Sequence, residues 1–150
     1  MSLKQKLQSD LNDAIKSRNT VVAETIRMIL SAITNEEVAG KEKKELSEAE
    51  VITVLTREAK KRREAAEAFE TGGRADRAAA ERAEGEVIAS YLPEQLTESE
   101  INNLIAETIA AVGATGPSDM GKVMGALKAK VAGKADGALV SSLVKVALNK

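Results

Sequence analysis

The chain contains no cysteine and no histidine. The first absence excludes a disulfide framework, a thiol nucleophile and the soft ligand sets of zinc or iron–sulfur sites. The second excludes a Ser-His-Asp triad and an HExxH zinc helix. Chemistry is left to Asp, Glu, Lys, Arg, Ser, Thr and Tyr91. Any metal site would have to be all-oxygen, of the kind that suits magnesium or calcium. Aromatic rings are reduced to Phe69 and Tyr91, too few for a reader that stacks bases on rings. Long apolar runs are missing as well. The longest uncharged stretch, Thr108 to Ser118, has eleven residues and contains two glycines, whereas a membrane span needs roughly 20 apolar residues. Lys4, Lys6 and Asp10 interrupt the start of the chain, so it shows no signal-peptide pattern and a cytoplasmic location is expected.

What is present is alanine, 25 times, against two prolines in 150 residues. This is the composition of an all-α protein. Helix starts are marked by three capping boxes, Ser2-x-x-Gln5, Ser47-x-x-Glu50 and Thr97-x-x-Glu100, in which a side chain and a backbone amide satisfy each other. Thr20, Ser118 and Asp136 are further candidate N-caps. Gly72-Gly73, Gly113 and Gly133 stand where helices should stop, and Pro93 blocks extension past Tyr91-Leu92.

Between these marks apolar residues recur at helical spacing. The seven stripes are Leu3/Leu7/Leu11/Ile15, Val22/Ile26/Ile29/Ile33, Val51/Leu55/Ala59/Ala66/Phe69, Ala80/Val87/Ile88/Tyr91, Ile101/Leu104/Ile105/Val112, Met120/Met124/Leu127/Val131 and Leu139/Leu143/Val146/Ala147. They predict seven helices and no strand. Residues 1–92 read as an N-terminal helical subdomain of four helices dense in charge. Residues 93–150 read as a C-terminal subdomain of three shorter helices, richer in glycine. The charged stretch from Glu36 to Glu48 lacks apolar period and reads as a solvated turn.

The net charge of −1 hides two basic clusters. Residues 118–150 carry six lysines against Asp119 and Asp136, and Arg57 to Arg63 carry five cations against Glu58. In the first, Lys122, Lys128, Lys130 and Lys134 are candidate phosphate contacts, because lysine acts as a point charge that positions a polyanion without reading its sequence. Gly121 and Gly125 lie four apart there, either for tight packing on helix seven or for close approach of a phosphate backbone. In the second cluster, i,i+4 pairs such as Glu58/Arg62, Lys60/Glu64 and Arg63/Glu67 describe a solvated helix face. Arg62 departs from it. At about 100° per residue it falls inside the apolar stripe, as does Glu84 on helix four. Both lie eleven residues from Gly73, so a hairpin turning at Gly72-Gly73 should bring them level in a semi-buried ion pair.

Two tempting chemistries fail on their own terms. Gly116 to Val123 matches a phosphate loop until the eighth position, where Val123 replaces the magnesium-binding hydroxyl, and a helix rather than a strand precedes it. Glu81, Glu84 and Glu86 do not form a calcium-type loop, and Glu86 points away from the other two. The residues name no catalytic group, no metal and no cofactor.

The segments Asp119-Met-Gly-Lys-Val-Met-Gly-Ala-Leu-Lys128, Gly133-Lys-Ala-Asp-Gly137, Leu139-Val-Ser-Ser-Leu-Val144 and Tyr91-Leu-Pro-Glu-Gln-Leu96 together resemble the YqeY family, whose C-terminal part is similar to the tail domain of GatB, the B subunit of the tRNA-dependent amidotransferase. The likeness extends over essentially the whole chain, with Ala129 as one departure. The resemblance implies two helical subdomains, the second shared with an accessory tail that contacts the outer corner of tRNA. It also explains why such chains are associated with carbon–nitrogen ligases that use glutamine as amido donor. The residues do not supply a glutaminase nucleophile or a nucleotide site. Three functions follow as expectations: a non-catalytic tRNA-binding or tRNA-enzyme accessory module, a protein-interaction module without RNA contact, and a stand-alone amidotransferase.

Overall fold

A computed structural model describes residues 1–149; the last lysine of the basic tail, Lys150, lies outside the described residues. The helices are α1 (Leu3–Lys16), α2 (Thr20–Glu37), α3 (Glu48–Thr71), α4 (Ala75–Ala89), α5 (Glu98–Val112), α6 (Met120–Val131) and α7 (Gly137–Leu148), with a 3-10 turn at Pro117–Asp119. The protein is all-helical, and no strand occurs among the described residues. The chain divides into two compact units, Met1–Leu92 and Pro93–Lys150.

In the first unit α2 is central, packing on α1, α3 and α4. Its Ile26, Ile29 and Ile33 are fully buried and meet Leu7, Val51, Val54, Leu55 and Ile88. Burying each such side chain contributes about 1.5–3 kcal/mol. The helices α3 and α4 form the most extensive pair and turn at Gly72-Gly73, where Gly73 takes φ 77, a left-handed value that glycine adopts without strain. In the second unit α5, α6 and α7 pack pairwise around Ile101, Ile105, Val123, Leu127, Val140 and Val144.

All three capping boxes form as the spacing predicts. Asp136 caps α7 through the Ala138 amide. Two caps differ. Asn19, not Thr20, caps α2 by accepting from the Val22 N–H, and Thr20 is the first helical residue. Ser118 lies within the 3-10 turn, and α6 starts after Asp119 with no side-chain cap.

Three stripes also need revision. In α4 the buried alanine is Ala78 while Ala80 is exposed, because an alanine-rich helix has too little apolar contrast to set its own orientation. In α7 the buried face is Val140, Val144 and Leu148; Leu139 and Val146 are exposed, since this helix is apolar nearly all round. Ile15 ends the α1 stripe exposed. The Glu36–Glu48 stretch is only partly solvated. Glu37 is 3% exposed, and Leu46 packs on the core.

Candidate functional site

The tail lysines are exposed. None of Lys122, Lys128, Lys130 and Lys134 lies within ion-pairing distance of a carboxylate among the described residues. Lys122 stands in the first turn of α6, and its charge helps to hold the Asp119 carboxyl below the ordinary range, after the larger effect of the Thr115 backbone N–H. Valine at 123 is fully buried, so the failed phosphate-loop position serves the core. Lys128 and Lys130 project about 160° apart around the α6 axis, given roughly 100° per residue. They flank the exposed face from opposite sides and do not converge. Lys134 sits in the turn after α6. Its carbonyl accepts from Leu96 N–H at 2.8 Å, and the Gly133 carbonyl accepts from Gln95 Nε2 at 2.8 Å. The turn that carries Lys134 is thereby tied to the entry of α5.

Gly121 and Gly125 do not serve tight packing on α7. A Cβ built at either position meets nothing within 4 Å. They bare the backbone of α6 to solvent, beside Lys122 and the exposed Ala126 and Ala129.

The Arg57–Arg63 cluster is largely neutralised. Arg57 Nη2 reaches Glu36 at 3.1 Å, Lys61 reaches Glu58 at 3.4 Å, and Lys60 and Arg63 are engaged as well. Arg62 and Glu84 meet at 3.4 Å across the α3–α4 hairpin. Two further carboxylates, which level across the hairpin does not reveal, face the same guanidinium. Glu81 lies 3.3 Å away and Glu58, one turn back on α3, 4.0 Å. Glu81 is three residues before Glu84 and shares its helix side, which is the signal that could have found it. Glu58 is 5% exposed. Arg62 Nε, buried, has no hydrogen-bond partner among the described residues. Among the described residues no group of acids is arranged to hold a metal ion; these carboxylates surround a guanidinium instead.

A second polar cluster joins the ends of the first unit. Tyr91 Oη donates to Asp10 Oδ2 at 2.6 Å, and Lys6 Nζ donates to the same oxygen at 2.9 Å. The Lys6 ammonium also stands 5.7 Å from the ring centroid. Burial, and then the Asp10 carboxylate, push the Tyr91 phenol well above its ordinary range. The same bond, followed by Lys6, holds Asp10 low. The phenol is thereby engaged in bracing the helices of the first unit. Nothing local in the sequence signals the contact, which spans 81 residues.

These features define an all-helical protein whose polar clusters brace helices and whose unpaired lysines lie on the surface. The chain belongs to the YqeY family: the model of that family, described as "Yqey-like protein", matches residues 4–148. It is similar to an uncharacterized protein of Schizosaccharomyces pombe, 34% identical over 94 residues that cover 62% of this chain and 74% of the relative. It is also similar to "Altered inheritance of mitochondria protein 41, mitochondrial" of Pyrenophora tritici-repentis, 29% identical over 144 residues that cover 93% of this chain and 77% of the relative. No helix among the described residues is long and apolar enough to cross a membrane.

Proposed function

We propose that this chain is a non-catalytic accessory module that offers the exposed face of α6 to the phosphate backbone of a tRNA, in the manner its resemblance to an amidotransferase tail suggests. One observation carries the reading. Lys122, free of any ion pair among the described residues, stands beside backbone that Gly121 and Gly125 leave open to solvent. Helix starts attract anions, although Asp119 offsets part of that field here. The reading favours binding over catalysis because the chain has no cysteine or histidine and its single phenol is taken up by the bond to Asp10.

Fluorescence anisotropy with labelled total tRNA, over a salt series, tests it. Affinity should fall with salt, with a slope of about −2 to −3 in log units if three or four phosphates are neutralised. Lys122→Glu should weaken binding most among the single changes, and the quadruple change at Lys122, Lys128, Lys130 and Lys134 should abolish it. Unaltered binding by the quadruple variant would refute the surface. The setting proposed is cytoplasmic; since one relative bears a mitochondrial name, imaging of the tagged chain decides between compartments. A second reading, docking on a partner protein, is favoured by Leu139 and Val146, which leave an apolar outer face on α7.

A further inference from the structure

The chain has eight arginines, all at or before position 82; every cation after that position is a lysine. Six of the eight are engaged. Arg57, Arg62, Arg74 and Arg82 pair with carboxylates, Arg77 lies over the Phe69 ring, and Arg63 has a partner. The two that have none among the described residues, Arg18 and Arg27, line one groove.

That groove runs between the end of α1 and the first two turns of α2. Its floor is Ala14 and Ala23, both 5% exposed, and Ile15 stands on its rim 47% exposed. Among the described residues no carboxylate lines it. Glu24, the nearest acid on α2, makes no ion pair with Arg27. Arg18 sits at φ 59, the one non-glycine residue in the left-handed region among the described residues. Glycine would relax that backbone, so the side chain at 18 is kept at the expense of local strain.

From this juxtaposition of two unpartnered guanidinium groups, a shallow alanine floor and an exposed isoleucine we infer that the α1–α2 groove docks an acidic amphipathic helix of a partner protein. Each part of the surface has a counterpart in such a helix. Alanines leave room for a helix to lie between two others, read through anchors at i, i+3 and i+4. Ile15 supplies apolar contact. Guanidinium forks match carboxylates two bonds at a time. Arginine with aliphatic contact is the composition of protein interfaces, in which lysine is depleted. The lysine-only surface of α6 has the other composition. This inference is independent of the tRNA reading, which concerns a different unit.

The test uses the full chain and two labelled synthetic helices. One presents Leu at i, i+4 and i+7 flanked by Glu; the other carries Lys in place of each Glu. A 20-nucleotide RNA is the third probe. The acidic helix should bind and the basic one should not. Arg18→Gly and Arg27→Gln should each weaken the acidic helix about tenfold, as expected for loss of one charge-assisted contact. A photo-crosslinker at Ile15 should label that peptide. Arg18→Gly should at the same time raise the melting temperature, so weaker binding cannot be ascribed to a damaged fold. The inference is overturned if the acidic helix binds no better than the basic one. It is equally overturned if the double variant binds it as wild type does, or if RNA rather than peptide loses affinity on these two changes. The quadruple lysine change in the second unit should leave peptide binding unaltered.

Discussion

Replacing Arg62 with methionine should destabilise the first unit far more than removing any one of its acidic partners. The guanidinium side chain is 21% exposed and faces Glu58, Glu81 and Glu84, whose side chains are 7%, 19% and 30% exposed. Among the described residues Glu58 also meets Lys61, at 3.4 Å. Without Arg62 three carboxylates share one helix–helix seam. Breaking a buried ion pair costs about 3–5 kcal/mol, and an exposed pair contributes at most about 1 kcal/mol. This site lies nearer the buried limit, so Arg62→Met should cost about 2–4 kcal/mol. For a unit of this size that is a fall in melting temperature of about 10–25 °C. Glu84→Gln leaves Arg62 with Glu81 and Glu58 and should cost under about 1 kcal/mol. Adding Glu81→Gln and Glu84→Gln to Arg62→Met should recover a large part of the loss, by removing the stranded charges. The assay is built into the chain. Tyr91 is its only tyrosine and tryptophan is absent, so tyrosine emission during urea or thermal unfolding reports on the first unit alone. If Arg62→Met cost no more than Glu84→Gln, the three-acid account of the seam would be refuted.

Four more outcomes are expected. The Tyr91 phenol should show no absorbance titration near pH 10, because its folded-state value is raised; its share of stability is fully present below that pH and lost only as pH climbs toward the folded value. Tyr91→Phe should cost about 1 kcal/mol at neutral pH and make Asp10 easier to protonate, and a carboxyl NMR titration of Asp10 would check the second effect. Glu37 donates nothing and accepts from Lys4 at 2.9 and 3.0 Å, which holds its carboxyl low. Its contribution is present above the ordinary value of 4.5 and disappears as pH falls through the lowered folded value, so Glu37→Gln should flatten the acid limb of a stability–pH curve. Gly125→Ala should stabilise the second unit by about 0.5–1 kcal/mol in far-ultraviolet dichroism melts, because the added methyl meets nothing and glycine is a poor helix former.

Legibility in the sequence followed the range of the interaction. Ser2/Gln5, Ser47/Glu50 and Thr97/Glu100 were readable because a capping box is closed within four residues. Asn19 and Thr20 both suit a cap, and the difference of one position was set by the turn that Arg18 makes before them. The buried faces of α4 and α7 differ from their sequence stripes for opposite reasons. One helix has too little apolar contrast, and the other has apolar residues on every side, so in both the tertiary partner decides. Arg62 and Glu84 could be aligned because a hairpin turns distance along the chain into level across it. Asp10 and Tyr91 could not, standing 81 positions apart. The lysines of α6 were readable as charge but not as direction. Arg18 and Arg27 give no such signal, because an arginine shows in sequence that it is charged, not that it lacks a partner.

The bond from Tyr91 to Asp10 turns the first unit into a closed ring. Its first helix and the segment just past its last are clasped together one residue before the unit ends, so neither end can peel away singly from the bundle. Small openings that would loosen a free tail must here undo a clasp first. The expected result is a unit that gives way all at once, under heat or tension, rather than unravelling from its edges.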